Sequence, residues 1–139
     1  MKWHDLLGIP WQLHGRTAKG GMDCSTLAEE VMHRAGMSPP PTNPYRCPGS
    51  AGEAEEMPLY LADMEEHFDR VGSTAGDARQ CGDVVLAADS SGIARCLFVL
   101  VEPARGTFLT AAHDTGVVAV RRFVMDNIIA VYRLKNGNG

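Results

Sequence analysis

The residue best placed to do chemistry is Cys24, which stands between Asp23 and Ser25 at the start of a helical pattern. Apolar residues recur at helical spacing over 27–35, and Gly36 is typical of a helix end. Asp23 or Ser25 can cap this helix. A thiol in the first helical turn lies at the positive end of the macrodipole, which lowers its pKa and favours the nucleophilic thiolate. Backbone N–H groups of the same turn can bind a developing oxyanion, so the segment indicates acyl transfer if a base lies within reach.

The elements that would position this cysteine change from helix to strand along the chain. A helical turn and an extended segment are expected in residues 1–14, and a second helix over 52–70 follows a proline-rich loop. Short apolar runs separated by turn signals then predict strands over 83–88, 94–102, 107–112, 117–123 and 128–134. Connections of hairpin length favour an antiparallel sheet. Helices first and strands afterwards are typical of an α+β fold.

Three runs of the sequence resemble the NlpC/P60 branch of the papain-like cysteine hydrolases. They are Gly8-Ile9-Pro10-Trp11, Gly21-Met22-Asp23-Cys24-Ser25 and Gly82-Asp83-Val84-Val85-Leu86, in the family's order and spacing. The resemblance implies a single domain over residues 1–135, with N-terminal helices packed on a five- to six-stranded antiparallel sheet, and a flexible tail at 136–139. It also implies that Cys24 is the nucleophile, and that Trp11, Asp23 and Ser25 lie at the oxyanion or substrate site.

The positions that should hold the base depart from the family's pattern. The family's histidine slot, fourteen residues after the glycine of the Gly-Asp pair, holds Cys96, and the slot of the third polar residue holds Thr110. A thiol with an ordinary pKa of about 8.5 cannot replace imidazole as a base at neutral pH. His113 is the obvious substitute, but it lies three residues after Thr110, so alternation turns it to the opposite face unless a bulge intervenes. His14, in the loop before the nucleophile, is a second alternative.

The cysteines leave a redox or metal role open. The four cysteines are widely spaced and form no C-x-x-C pair, which resembles neither a zinc ribbon nor a zinc finger. The expected fold makes Cys24 and Cys96 neighbours, as buried thiols, as a disulfide or as half of a metal site. Further ligands for such a site would be Cys81, His14 or His113. Buried thiols are the preferred interpretation because cysteine behaves as a small hydrophobe, and no metal or other cofactor is predicted.

Composition and charge argue against several classes of partner. Lysine and arginine number 13 against 17 acidic residues, for a formal charge of −4, so nucleic-acid binding is not expected. No apolar stretch approaches the roughly 18 residues that a membrane span needs. The N-terminal residues lack the apolar segment and cleavage site of a signal peptide, and we expect synthesis in the cytoplasm. Arg121, Arg122 and Arg133 are expected to be edge or surface charges.

The missing histidine favours a structural or interaction role, and whether the chain is an enzyme stays open. On this hypothesis it is a catalytically degenerate NlpC/P60-like domain of a phage tail tip, baseplate or phage-derived particle, carried on the virion beside other tail or baseplate proteins. The run from Gly15 to Cys24 resembles that branch. The alternative is an active endopeptidase or amidase that cleaves peptidoglycan peptides, with Cys24 as nucleophile and His113 as base. A redox or metal role for Cys24 and Cys96 is the third hypothesis.

Overall fold

The secondary structure follows the sequence pattern closely in the C-terminal half. The computed structural model describes residues 1–12, 15–17, 20–40, 62, 64–88, 94–112 and 114–135, and at 16, 17 and 94–96 it describes the backbone only. None of the helical segments in these residues is long and apolar enough to cross a membrane. The main elements, in chain order, are β1 (Arg16–Thr17), β2 (Gly21–Met22), α1 (Cys24–Arg34), β3 (Phe68–Gly72), β4 (Val84–Ala88), β5 (Ala94–Glu102), β6 (Thr107–Ala112), β7 (Gly116–Arg121) and β8 (Ile128–Leu134).

Six of these strands form one antiparallel sheet, in the order β3-β8-β4-β5-β6-β7. Strands β4 to β7 form a meander, and β8 returns to pair with β4 on its other side. Strands β1 and β2 form a separate hairpin. The strands predicted over 94–102, 107–112 and 128–134 are confirmed at both ends. The strand predicted over 83–88 begins one residue later, and the one predicted over 117–123 begins one residue earlier and ends two residues earlier. The α+β class and the antiparallel sheet are therefore confirmed, while α1 is the one helix longer than two turns in the described residues.

The helix predicted over 52–70 is wrong at its C-terminal end. Residues 64–67 are helical, but Phe68–Gly72 is an edge strand paired with β8. Met64 and Phe68 are both buried, and their four-residue spacing suits a helix face, which explains the error. Pairing with β8 gives the backbone groups along that strand their partners, and this outweighs the local pattern. Residues 52–61 and 63 of the predicted helix, and 41–50 of the predicted loop, lie outside the described residues.

Apolar clusters cover both faces of the sheet. Helix α1 covers one face, where its buried Leu27 and Val31 pack on β5 and β6. Each fully buried side chain of this kind contributes about 1.5–3 kcal/mol. Alternate residues of β5, such as Leu97 and Val99, join this first cluster, whereas Leu100 joins the cluster on the other face. The position of a residue along β5 therefore decides whether it faces α1.

Asp83, at the Gly-Asp entry to β4, is fully buried and links β4 to β8. Its carboxylate accepts hydrogen bonds from the backbone N–H groups of Arg79 and Gln80, each at 3.0 Å. Arg133 donates to the same carboxylate from two nitrogens, at 2.9 and 2.7 Å. These hydrogen bonds raise the pKa of Arg133 above its ordinary value. The expectation that Arg133 is an edge or surface charge is wrong, because β8 lies inside the sheet and Arg133 is the partner of a buried carboxylate.

The two arginines at the end of β7 have different environments. Arg121 is exposed on the edge strand, as expected. Arg122 begins a 3-10 turn (Arg122–Val124) and is half-buried, so its assignment as an edge or surface charge is wrong. Its guanidinium group donates to the carbonyl oxygens of Ala75 and Ala78 at 3.1 and 2.9 Å, and it lies 5.8 Å from the ring centre of Phe108. It thereby joins the loop that contains Ala75 and Ala78 to the sheet.

A short N-terminal segment, residues 8–12, joins the start of β7 to β2. The Gly8 N–H donates to the Val117 carbonyl at 2.9 Å, and the Val117 N–H donates to the Ile9 carbonyl at 2.8 Å. On its other side the segment receives the Met22 N–H at the Pro10 carbonyl, also at 2.9 Å. These bonds place the segment directly beside the strand that leads into α1.

Candidate functional site

Cys24 is the first residue of α1, and a capping box fixes the point at which the helix begins. Asp23 is extended, with φ −96° and ψ 179°, and its Oδ1 accepts the Thr26 N–H at 2.8 Å. In return the Thr26 hydroxyl accepts the Asp23 N–H at 3.0 Å. The prediction of a cap at Asp23 or Ser25 is confirmed for Asp23, whereas Ser25 is a buried residue inside the first turn. The capping role of Thr26 was missed, although a hydroxyl three residues after a cap is a recognisable signal.

The thiol-bearing residue is buried, with 4% of its surface exposed, within the cluster that α1 forms with the sheet. Asp23 and Ser25 on either side of it have no exposed surface. The first turn of α1 is therefore enclosed by protein at the residues that the resemblance assigns to substrate or oxyanion binding.

Trp11 lies beside the strand that leads into α1. Its backbone makes an isolated bridge with Met22, two residues before Cys24, and its half-buried side chain packs against the core. This approach is close enough to require glycine at position 21, where φ is +96° and a Cβ would lie 2.6 Å from the Pro10 carbonyl oxygen. The Gly-rich run before the cysteine thus lets the Trp11 backbone lie beside Met22.

The face of the sheet that packs against α1 is apolar in the described middle parts of β5 and β6. The residues of these two strands that share a cluster with Cys24 are Leu97, Val99, Val101, Leu109 and Ala111. The described part of this face therefore carries aliphatic side chains at the positions nearest α1.

The two positions assigned to the base and its orienting residue, Cys96 and Thr110, lie on β5 and β6. The backbone of Cys96 pairs with that of Ala87, one position before Leu97 on β5. Thr110 is buried, alternation places it on the side of β6 that carries Phe108, and its hydroxyl donates to the Leu97 carbonyl at 2.9 Å. Leu109 and Ala111, the neighbours of Thr110 along β6, join the cluster of Cys24.

His113 and His14, the two candidate bases, lie outside the described residues. The geometric objection to His113 assumed that Thr110 faces Cys24, and the register of β6 removes that assumption. The described residues place Ala111 on the α1 side, two residues before His113 in the sequence. Strand alternation alone therefore no longer argues against this histidine.

The described residues include only part of the predicted metal or redox site. They contain no group of three or more His, Cys, Asp or Glu side chains that could hold a metal ion. Neither Cys24 nor Cys81 forms a disulfide in this part of the chain. Cys81 is half-buried, and burial raises the pKa of its thiol. The prediction for the Cys24 and Cys96 pair depends on a side chain at position 96 that the structure does not describe.

Two cavities lie among the described residues away from the thiol. One, of about 200 Å³, lies on a face of α1. Its described lining residues are Met22, Thr26, Glu29, Glu30 and His33. The other, of about 220 Å³, lies on the sheet face away from α1 and has a mostly apolar lining. Neither includes Cys24 among its described lining residues.

Comparison with known proteins shows the fold. No family model matches the sequence, and no curated protein matches it. A crystal structure from Staphylococcus aureus subsp. aureus Mu50, described as similar to lipoprotein, NLP/P60 family, superposes with a TM-score of 0.54. The two chains are 19% identical, and the match covers 93% of this chain but 37% of the length of the other. This chain therefore has a papain-like fold of the NlpC/P60 type, as the sequence motifs led us to expect.

Proposed function

We propose that this chain is an NlpC/P60-like domain without hydrolytic activity, with a structural or binding role in a phage tail tip, baseplate or phage-derived particle. The observation that carries this proposal is that the described side chains of β5 and β6 that cluster with Cys24 are all aliphatic. Aliphatic side chains cannot accept the proton of a thiol or orient an imidazole. The assignment to a tail particle rests on the resemblance of the run from Gly15 to Cys24 to that branch of the family.

On this proposal the partners are other tail or baseplate proteins, and peptidoglycan peptides are a candidate ligand. The chain would be made in the cytoplasm and carried on the particle. Mass spectrometry of purified particles measures this directly. A stoichiometric amount of the chain supports the assignment, and its near absence from particles of a producing host would count against it.

An active peptidoglycan endopeptidase or amidase is the second candidate, favoured by the register of β6. Leu109 and Ala111 face α1, so the alternation of side chains along a strand does not argue against a base two residues further along the sequence. In this mechanism Cys24 attacks the peptide carbonyl, and His113 receives the thiol proton and passes it to the leaving amine. Water then hydrolyses the thioester. The N–H groups of the first turn of α1 are the natural donors to the oxyanion.

One hydrolysis experiment separates the two candidates. Purified protein is incubated with peptidoglycan, and the released muropeptides are resolved by mass, beside Cys24→Ala, His113→Ala and His33→Ala. His33 is the matched control because it lies on the surface of α1, with 52% of its side chain exposed. Release above the Cys24→Ala level, lost in His113→Ala and kept in His33→Ala, would refute the degenerate domain. No release above the Cys24→Ala level supports it.

A further inference from the structure

The outer edge of β7 has backbone groups that no described strand pairs. The N–H and C=O of Val117 point away from β6, where they bond to Ile9 and Gly8. Because this direction alternates along a strand, the N–H and C=O of Ala119 and the N–H of Arg121 point the same way. Both residues are exposed, and β7 is the last strand of the sheet. Three hydrogen-bonding groups therefore face outward in a row.

The two edges of the sheet differ in how they are protected. At the β3 edge a register shift between Arg70 and Gly72 interrupts the pairing with β8, and the exposed Asp69 and Arg70 place charges there. Such bulges and charges discourage strand addition. The pairing of β6 with β7 is regular over its whole length, from Thr107 with Arg121 to Ala112 with Gly116. The β7 edge is thus the one that can accept another strand.

Exposed apolar side chains lie at both ends of this open edge. Phe123 and Val124, 84% and 57% exposed, follow β7 directly. Leu7, 41% exposed, precedes the Gly8 that pairs with Val117. These are three of the four large hydrophobic residues exposed in the described part of the chain. Val124 also lines the apolar cavity of about 220 Å³, together with Phe98, Val120 and Met125. An apolar partner side chain would find contacts there.

The charge at the same edge is positive and has no acidic partner among the described residues. Arg121 donates to the Arg105 carbonyl at 3.3 Å and to the Thr107 hydroxyl at 3.0 Å, and both arginines are exposed. Neither guanidinium group forms a salt bridge in that part of the chain. A carboxylate on the partner would complement them.

We propose that the β7 edge binds an extended peptide segment of another protein as an added strand, with apolar side chains and an acidic residue near Arg121. Main-chain pairing supplies the affinity in this mode, and side-chain contacts supply the specificity. A peptide fits better than a second copy of the chain. The open stretch from Ala119 to Arg121 lies between the bound segment 8–9 and the turn Arg122–Val124, and a second copy would carry both obstructions as well. This site goes beyond the proposed function and does not depend on whether Cys24 is active.

The test uses the full chain and defined peptides. The probe is a pool of acetylated, amidated hexapeptides in which Val, Ile, Leu or Phe alternates with Ser or Thr, with Glu at one end. Two further pools carry N-methyl groups on alternate amides. One pool is methylated on the odd-numbered amides and the other on the even-numbered amides. Titration followed by amide NMR should shift the resonances of Ala119 and Arg121, and N-methylation in one of these two pools should weaken binding about tenfold or more.

Two variants at one position isolate the backbone contribution. Ala119→Pro removes the outward N–H, which an edge strand tolerates because that group has no partner in the sheet. It should weaken binding about tenfold, whereas Ala119→Thr, which keeps the N–H, should stay within about twofold. If Ala119→Pro does not fold, the N-methylated peptides on the wild type give the same comparison.

Several results would overturn the proposal. One is equal binding of both N-methylated pools, and another is a set of shifts that does not include β7. Absence of binding at millimolar peptide would do so as well. A dimer in analytical ultracentrifugation that Ala119→Pro converts to monomer would assign the edge to a second copy instead.

Discussion

The buried pair of Asp83 and Arg133 allows the sharpest stability prediction. Asp83 has no exposed surface, and 29% of the Arg133 side chain is exposed. Arg133→Met keeps most of the aliphatic length but removes both charged hydrogen bonds, at 2.9 and 2.7 Å. The carboxylate would keep only its two backbone donors, the N–H groups of Arg79 and Gln80, in a place without solvent. An uncompensated charge of this kind costs about 3–5 kcal/mol, and we expect about 3 because Arg133 is partly solvated.

The assay is urea unfolding at neutral pH, with Arg105→Ala as the control because Arg105 is exposed and in no salt bridge among the described residues. A loss of about 3 kcal/mol is a large part of the stability of a domain of this size. Asp83→Asn combined with Arg133→Met should cost less than the sum of the single changes by about 1–3 kcal/mol, since the residues interact directly. A loss below about 1 kcal/mol in Arg133→Met, or additive single changes, would refute the account of this pair.

Three further predictions concern the helix start, the N-terminal segment and an exposed carboxylate. Asp23→Ala should destabilise the fold by about 1 kcal/mol because it removes the cap of α1, and Asp23→Asn should restore most of it in urea unfolding. Gly116→Val should cost about 2 kcal/mol or more, since φ is +71° and a Cβ would meet the Ile9 carbonyl, while Ala119→Val should be nearly neutral. The N–H groups of Thr74 and Ser73 hold the pKa of Asp77 below its ordinary 3.8. Its stabilisation is therefore present above pH 3.8 and is lost as pH falls through the lower folded pKa, so Asp77→Asn should lose less stability on acidification than the wild type. Equal acid dependence of the two proteins would contradict this.

The environment of Cys24 follows from which sheet residues face α1. On β5 and β6 the described residues that share its cluster are Leu97, Val99, Val101, Leu109 and Ala111, and all of them are aliphatic. A helix that begins with a buried cysteine can therefore be held in place by apolar packing alone, without a catalytic contact. The hydrolysis experiment decides whether His113 adds one.

The sequence by itself determined the fold class, the strands of the meander and the start of α1. These features have local causes. Runs of apolar and β-branched residues make up β5, β6 and β8, turns separate the strands, and the side chain of Asp23 caps the helix that begins at Cys24. Each cause acts within a few residues, so each can be identified without knowledge of the rest of the chain.

Only the tertiary structure decided which face of each strand meets α1, where the helix before β3 ends, and what Arg133 does. Alternation fixes which residues of a strand share a face, but not which face the helix covers, and a shift of one residue exchanges the two. For this reason Thr110 could be assigned to the site from sequence although its side chain lies with Phe108. Phe68 and Arg133 were misassigned for a related reason, because their partners, Leu134 and Asp83, are far away in sequence and only the folded sheet brings them together.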